Sequence, residues 1–259
     1  VARYEEALLL AVRASRLSPH DPIPKILTAL TNSALGRWEE ASGWLDAASS
    51  GTSSVDLFLR SSAIHIELDR GRLDNARALT RAWLTEEPES PFAKAQSVVD
   101  QARDDLAAAV ERAHRLLEEH PDFDWFDSRD LFQQLTALDL VGTGDTVPAR
   151  DILRHQEERF SAAVSAGEGG PGFLWELGVL FAIQGRNEEA FGYLSAAADQ
   201  GFIAELLLAG PAETDPRLAS LRDDPRFQEI LARIEDTRRA IRDRIEPVAD
   251  QLRPPAVHR

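Results

Sequence analysis

Residues 184–190 read QGRNEEA, residues 70–76 read RGRLDNA and residues 35–41 read LGRWEEA. In each stretch a glycine stands where one helix must end, because glycine enters the left-handed backbone region without steric cost. An acidic residue then starts the next helix and complements its dipole. A small alanine follows where that helix has to approach a neighbour closely. Three copies of one helix–turn–helix signal predict a tandem array, and the rest of the chain is read outward from them.

The residues downstream keep the same spacing. Ala7, Ala11, Ala14 and Pro19 form one set, and Ala41, Leu45 and Ala48 a second, with Ser53 where a proline would stand. Ala76, Thr80, Trp83 and Pro88 form a third set, Ala109, Ala113, Leu116 and Pro121 a fourth, and Ala190, Leu194 and Ala197 the last. The opening alanines at 7, 41, 76 and 109 are separated by 34, 35 and 33 residues. On these residues the units resemble tetratricopeptide repeats, whose period is about 34 residues. The similarity is strongest over residues 173–197, where Leu177, Gly178 and Phe181 also occupy the family's first-helix signature. First helices over 23–35 and 57–70 match it less closely.

The resemblance implies an all-α fold: a right-handed superhelical stack of about five antiparallel helix pairs, an α-solenoid, with a C-terminal capping helix. Four regions are expected. Residues 1–121 hold the first repeats, and Val1 falls inside the first of them, at its second helix, which predicts a truncated unit. Residues 122–172 hold an expanded pair, with helices over 128–141 and 147–166 and a glycine-rich link at 167–172. Residues 173–202 are the clearest unit. Residues 203–259 are a terminal helix and tail. Within them, 215–231 (DPRLASLRDDPRFQEIL) resembles the end of the repeat region in multidomain bacterial regulators. Asp224 and Pro225 start a helix with Phe227, Ile230, Leu231 and Ile234 on one face, and Ile241, Ile245 and Val248 extend that stripe until Pro247 disturbs it. This helix is read as covering the end of the stack, or as a dimer contact.

Composition narrows the chemistry. Apolar residues make up 43% and charged residues 28%, ordinary for a folded protein. No run approaches the ~18 apolar residues of a membrane span, and no leader pattern opens the chain. Because methionine is absent throughout and Val1 comes first, a signal or upstream domain is expected to be missing; cytoplasmic placement is the expectation without one. The absence of cysteine removes disulfides, thiol catalysis and cysteine-ligated zinc. Lys25 and Lys94 are the only lysines among 29 basic residues, which reads as genome composition. A net charge of −15 repels phosphate backbones and anionic lipid, so neither nucleic acid nor membrane is expected as a partner.

Candidate chemical groups read as structural. His114 with Glu118, and His155 with Glu158, have helical metal-ligand spacing but lie in charged stretches without a second histidine at HExxH spacing. His20, His65, His120 and His258 complete the histidines. Asp122, Asp124, Asp127 and Asp130 lack the glycine and closing glutamate of a calcium loop; Asp127 or Ser128 is expected to cap a helix while Phe123, Trp125 and Phe126 pack at a junction. The glycines around Gly142 and Gly167 lack the Lys-Ser/Thr pair of a nucleotide loop, and no G-x-S-x-G elbow occurs. No active site, metal or cofactor is expected.

What the resemblance does imply is a partner surface on the concave wall, lined by the first helix of each pair. Carried onto this chain, the family's groove positions are Ile26, Leu30, Phe58, Ser61, His65, Leu68, Lys94, Val98, Trp175 and Val179. Most are apolar, and only Lys94 suits a carboxylate clamp, so an extended or helical peptide with apolar anchors is expected. For Leu30, Leu68 and Val98, packing between adjacent helices is an equal alternative. The expected function is a scaffold or protein-interaction module. The alternatives are the regulatory half of a larger bacterial enzyme or transcription regulator, of sensor, cyclase or kinase type, and a structural protein that stacks end to end. Monomer and homodimer through the terminal helix both remain open.

Overall fold

A computed structural model of the chain describes residues 4–49, 56–123, 128–168, 170–204 and 210–255. Four of the turns that join the two helices of a pair close alike. Gly36, Gly71, Gly144 and Gly185 have φ of 72°, 71°, 94° and 71°. The residue after each glycine donates its N–H to the carbonyl five positions back, Arg37 to Asn32, Arg72 to Glu67, Asp145 to Leu140 and Arg186 to Phe181, at 2.8 to 2.9 Å. The left-handed glycine turns the chain back so that carbonyls left open by the helix end find donors. Five residues beyond each glycine stands an alanine, at 41, 76, 149 and 190, with no exposed surface. Ala109 is equally buried, but its turn carries Asp104 where the others have glycine, and the Asp105 carboxylate caps the helix by accepting from Ala108 N–H at 3.1 Å.

These turns join helices in sequence-neighbouring pairs. Among the described residues are twelve α-helices: α1 Tyr4–Leu17, α2 Pro22–Ala34, α3 Trp38–Ser49, α4 Asp56–Asp69, α5 Leu73–Glu86, α6 Pro91–Ala102, α7 Leu106–Glu119, α8 Ser128–Thr143, α9 Thr146–Ser165, α10 Pro171–Ile183, α11 Asn187–Asp199 and α12 Pro225–Ile245. Two 3₁₀ helices, Pro216–Leu221 and Glu246–Leu252, lie on either side of α12. Neighbours in sequence pack most closely: α1 with α2, α2 with α3, α4 with α5, α6 with α7, α8 with α9 and α10 with α11. The protein is all-helical among its described residues, and its helices pack in neighbouring pairs. None is long and apolar enough to cross a membrane.

The chain divides into two compact units. One is built from residues 4–86 together with 235–255, and the other from residues 87–234. The boundaries expected from sequence at 121, 172 and 202 all lie inside the second. The division follows packing, since residues 235–255 return to helices at the start of the chain.

In the unit of residues 4–86 and 235–255, that return is made by specific contacts. Arg242 donates to the Leu35 carbonyl at 2.8 Å and closes the end of α2, and Arg244 pairs with Glu5 at 3.0 Å. Trp44 Nε1–H donates to the Leu252 carbonyl at 2.9 Å, and Leu252 is fully buried. Lys25, 8% exposed, reaches the carbonyl of Ala47 at 3.0 Å and ties α2 to its hairpin partner.

In the unit of residues 87–234, α10 is apolar on almost every side and is packed by α8, α9, α11 and the 3₁₀ helix 216–221. Trp175 stacks on Phe202 with ring centroids 4.3 Å apart. A buried polar cluster pins the 3₁₀ helix to α8. Asp215 and Arg217, 2% and 3% exposed, pair at 2.6 Å, Arg217 also donates to Gln134, and Gln134 donates to Gln156 at 2.9 Å. The expected start of α12 is present, with Asp224 accepting from Arg226 N–H at 2.9 Å and Phe227, Ile230 and Ile234 buried. The Arg226 guanidinium covers the Phe191 ring at 4.0 Å and holds the Asp224 carboxyl below its usual pKa. Phe123 packs edge-on against Phe92 at 5.5 Å, whereas Asp124, Trp125, Phe126 and Asp127 lie outside the described residues, as do Ser53 and His258.

Candidate functional site

The first helices of the pairs do not present the surface assigned to them from sequence. Ile26, Leu30, Ser61, His65, Leu68, Val98, Trp175 and Val179 are all buried. The reason is the packing of these helices, for α2 touches α1, α3 and α4, and α10 is covered on four sides. His65 shows the result. Its side chain has no exposure, its ring nitrogens make no hydrogen bond among the described residues, and Nε2 lies 3.4 Å from an Asp69 oxygen that accepts from Ser33 at 2.6 Å. Of the ten, only Phe58, 37% exposed, and Lys94 reach the surface. Lys94 is held by Glu89 and Glu119, each at 3.1 Å, and these hydrogen bonds raise its pKa. A lysine so paired is engaged within its own unit.

An open groove of about 500 Å³ lies instead between the second helices of two successive pairs. α3 forms one wall with Ser42, Leu45 and Asp46, α5 forms the other with Asn75, Ala78 and Leu79, and α4 supplies the floor with Ala63, Ile66 and Glu67. Each helix contributes residues at i, i+3 and i+4, the spacing that places three side chains on one face. The buried stripe of α5, Ala76, Thr80 and Trp83, points elsewhere, so Leu79 is left 40% exposed on the groove side. Small residues at 63 and 78 leave the volume open, and its size falls in the ~300–1,000 Å³ range of ligand clefts.

The groove is apolar through its middle and acidic at its ends. Leu45 and Leu79 can flank an apolar side chain, over a floor in which Ile66 is itself buried. Glu67 accepts from Asn75 at 2.8 Å and lies 3.4 Å from Arg70 and 3.9 Å from Arg72, so its charge is shared. Asp46 is exposed, and among the described residues its carboxylate makes no ion pair. Burying an apolar group and meeting one cation is the chemistry this set of side chains supports.

Comparison with models of known protein families, with curated proteins and with solved structures returned no match. The sequence signal for the groove was slight. Leu45 and Leu79 are apolar residues beside, not on, the helical stripe that buries Ala41 and Trp44 or Ala76 and Trp83. Two of the groups read as structural from sequence are paired within the unit of residues 87–234. His114 Nε2 lies 3.3 Å from the Thr136 hydroxyl, and Asp130 pairs with Arg159.

Proposed function

We propose that this chain is a protein-interaction module of the tetratricopeptide type, a right-handed stack of helix pairs that binds a segment of a partner protein in the groove between α3 and α5. The observation that carries this reading is the alignment of three i, i+3, i+4 triples around one open, largely apolar volume. The recurring glycine turns and the buried alanines at 41, 76, 109, 149 and 190 support the family reading. The groove lies between second helices, because the concave positions are consumed in packing the first helices together.

A phage-displayed library of random dodecapeptides, selected on the full chain, tests the proposal. Ala78→Trp places a large ring in the groove at an exposed position, and Leu79→Glu places a charge there. Peptides retained by the natural chain and lost from both variants are expected. Selected peptides that bind all three chains equally would place the binding surface elsewhere.

A further inference from the structure

The same kind of cleft occurs one repeat earlier, between α1 and α3, and there the chain fills it with its own C-terminal segment. With the opening alanines aligned, Gly43 and Trp44 of α3 correspond to Ala78 and Leu79 of α5, and Val12 of α1 corresponds to Asp46 of α3. At the first cleft Arg16 of α1 donates to the Gln251 carbonyl and Trp44 of α3 donates to the Leu252 carbonyl, so both walls grip successive peptide units. Leu252 is buried, Arg253 is extended with φ −66° and ψ 142°, and the Pro254 ring occupies the space that Gly43 leaves by lacking a Cβ. The filled cleft therefore shows what a cleft between second helices accommodates in this protein: the end of a 3₁₀ helix with a leucine anchor, followed by a proline.

The second cleft has equivalent walls and different chemistry. Leu79 replaces the donor Trp44, so the backbone carbonyl of an occupant gains nothing there. Asp46 replaces the buried Val12, so a carboxylate without an ion-pair partner among the described residues faces the open volume. Recognition shifts from main-chain hydrogen bonds to an apolar anchor and a cation. The chain's own tail is engaged at the first cleft, and Arg253 pairs with Asp250 at 2.9 Å. We infer that the groove between α3 and α5 binds a short segment of a partner polypeptide carrying a leucine or proline anchor and an adjacent arginine or lysine that pairs with Asp46. The inference rests on the groove being a peptide site.

Fluorescence anisotropy on the full chain with three labelled heptapeptides decides it. One has a central Leu-Arg-Pro, one Leu-Glu-Pro and one Ser-Arg-Ser, in an otherwise neutral glycine and glutamine context. The first is expected to bind at least about tenfold more tightly than the third, from burial of the anchor. Asp46→Asn is expected to weaken it roughly two- to fivefold, the range of an exposed ion pair, and to leave the Leu-Glu-Pro peptide no weaker. Ala78→Trp should abolish binding, and Trp44→Phe should leave it unchanged, since that residue serves the first cleft. Equal binding of the Leu-Glu-Pro peptide, with the same loss in Ala78→Trp, would overturn the inference and leave the peptide site standing. Loss in Trp44→Phe but not in Ala78→Trp would place the occupant in the first cleft and overturn it too. A mass in sedimentation that grows with concentration and falls back in Ala78→Trp would make a second copy the occupant. If no peptide from the library or from these three is sensitive to Ala78→Trp, the proposed function itself fails.

Discussion

A Cβ at Gly178 would stand 2.6 Å from both Cγ and Cδ2 of Leu194 and 3.2 Å from the carbonyl oxygen of Ala190. Two effects oppose each other in Gly178→Ala. Alanine gains up to about 1 kcal/mol of helix propensity over glycine, while forcing a methyl into a filled interior costs about 1–3 kcal/mol. Leu194 is fully buried and one of the obstructing atoms is backbone, so relief by side-chain rotation is blocked and the steric cost wins. A net loss of about 1–2 kcal/mol is expected from urea denaturation, at unchanged slope. Arg217 presents a different residue-scale balance. Its guanidinium meets Asp215 through Nε at 3.0 Å and Nη2 at 2.6 Å, with Glu176 at 3.6 Å, and the pair is almost wholly buried. Removing one partner of a buried pair strands the other charge and costs about 3–5 kcal/mol, whereas replacing both by uncharged groups costs far less. Arg217→Met is therefore expected to lower stability severely, and the double variant Asp215→Asn with Arg217→Met to recover a large part of it. A double variant no more stable than the single one would show that the pair's hydrogen bonds to α8, not its charge balance, set the stability.

Helix α3 carries Gly43 in its interior, where the missing side chain is a cost to the helix and a benefit to the segment packed on it. A Cβ there would lie 2.8 Å from Pro254 Cγ, yet Pro254 stands at the edge of the fold and can retreat, unlike Leu194 beneath Gly178. In Gly43→Ala the two effects separate by location. The helix is expected to gain up to about 1 kcal/mol, and the segment 246–255 to loosen. Hydrogen exchange read by mass spectrometry should show faster exchange in that segment with unchanged or slower exchange in α3. Slower exchange in both would mean that Pro254 has an alternative seat. This contrast also marks what could be read in advance. Glycine turns and opening alanines act within five residues of one another, so the sequence displays them, and the helices expected over 128–141 and 147–166 occur at Ser128–Thr143 and Thr146–Ser165. Ala149 is hidden as an opening alanine because it stands 40 residues after Ala109, off the 34-residue period, although Gly144 precedes it at the usual distance. The groove left only the slight signal of Leu45 and Leu79 beside the buried stripes. Whether Ile26 or Leu79 faces solvent depends on how many neighbours each helix acquires, and that is settled between residues far apart in the chain.

Residues 235–255 belong to the unit whose other part is residues 4–86, so that unit is assembled from the two ends of the described chain. Its closing contacts span more than 200 positions: Trp44 to Leu252, Arg242 to Leu35 and Arg244 to Glu5. Contacts this distant in sequence require closing a long loop before they yield any stabilisation. The unit formed by residues 87–234 draws its buried cluster and the core around α10 from its own residues. A chain ending at residue 234 separates the two. It removes Ile241, Ile245 and Leu252, each 4% exposed or less, and uncovers the Trp44 indole and the end of α2. Burial of three such side chains contributes about 1.5–3 kcal/mol each, a large part of the roughly 5–15 kcal/mol that stabilises a whole domain. In the shortened chain, amides of α1 to α3 are expected to exchange with solvent many times faster, while those of α8 to α11 keep their protection. Adding a synthetic peptide of residues 235–255 should restore protection to α1 to α3 in proportion to its concentration, by mass action. If α1 to α3 remain as protected in the shortened chain as in the full one, the early helix pairs are stable by stacking alone, and the returning segment is an occupant of the first cleft without being part of its foundation.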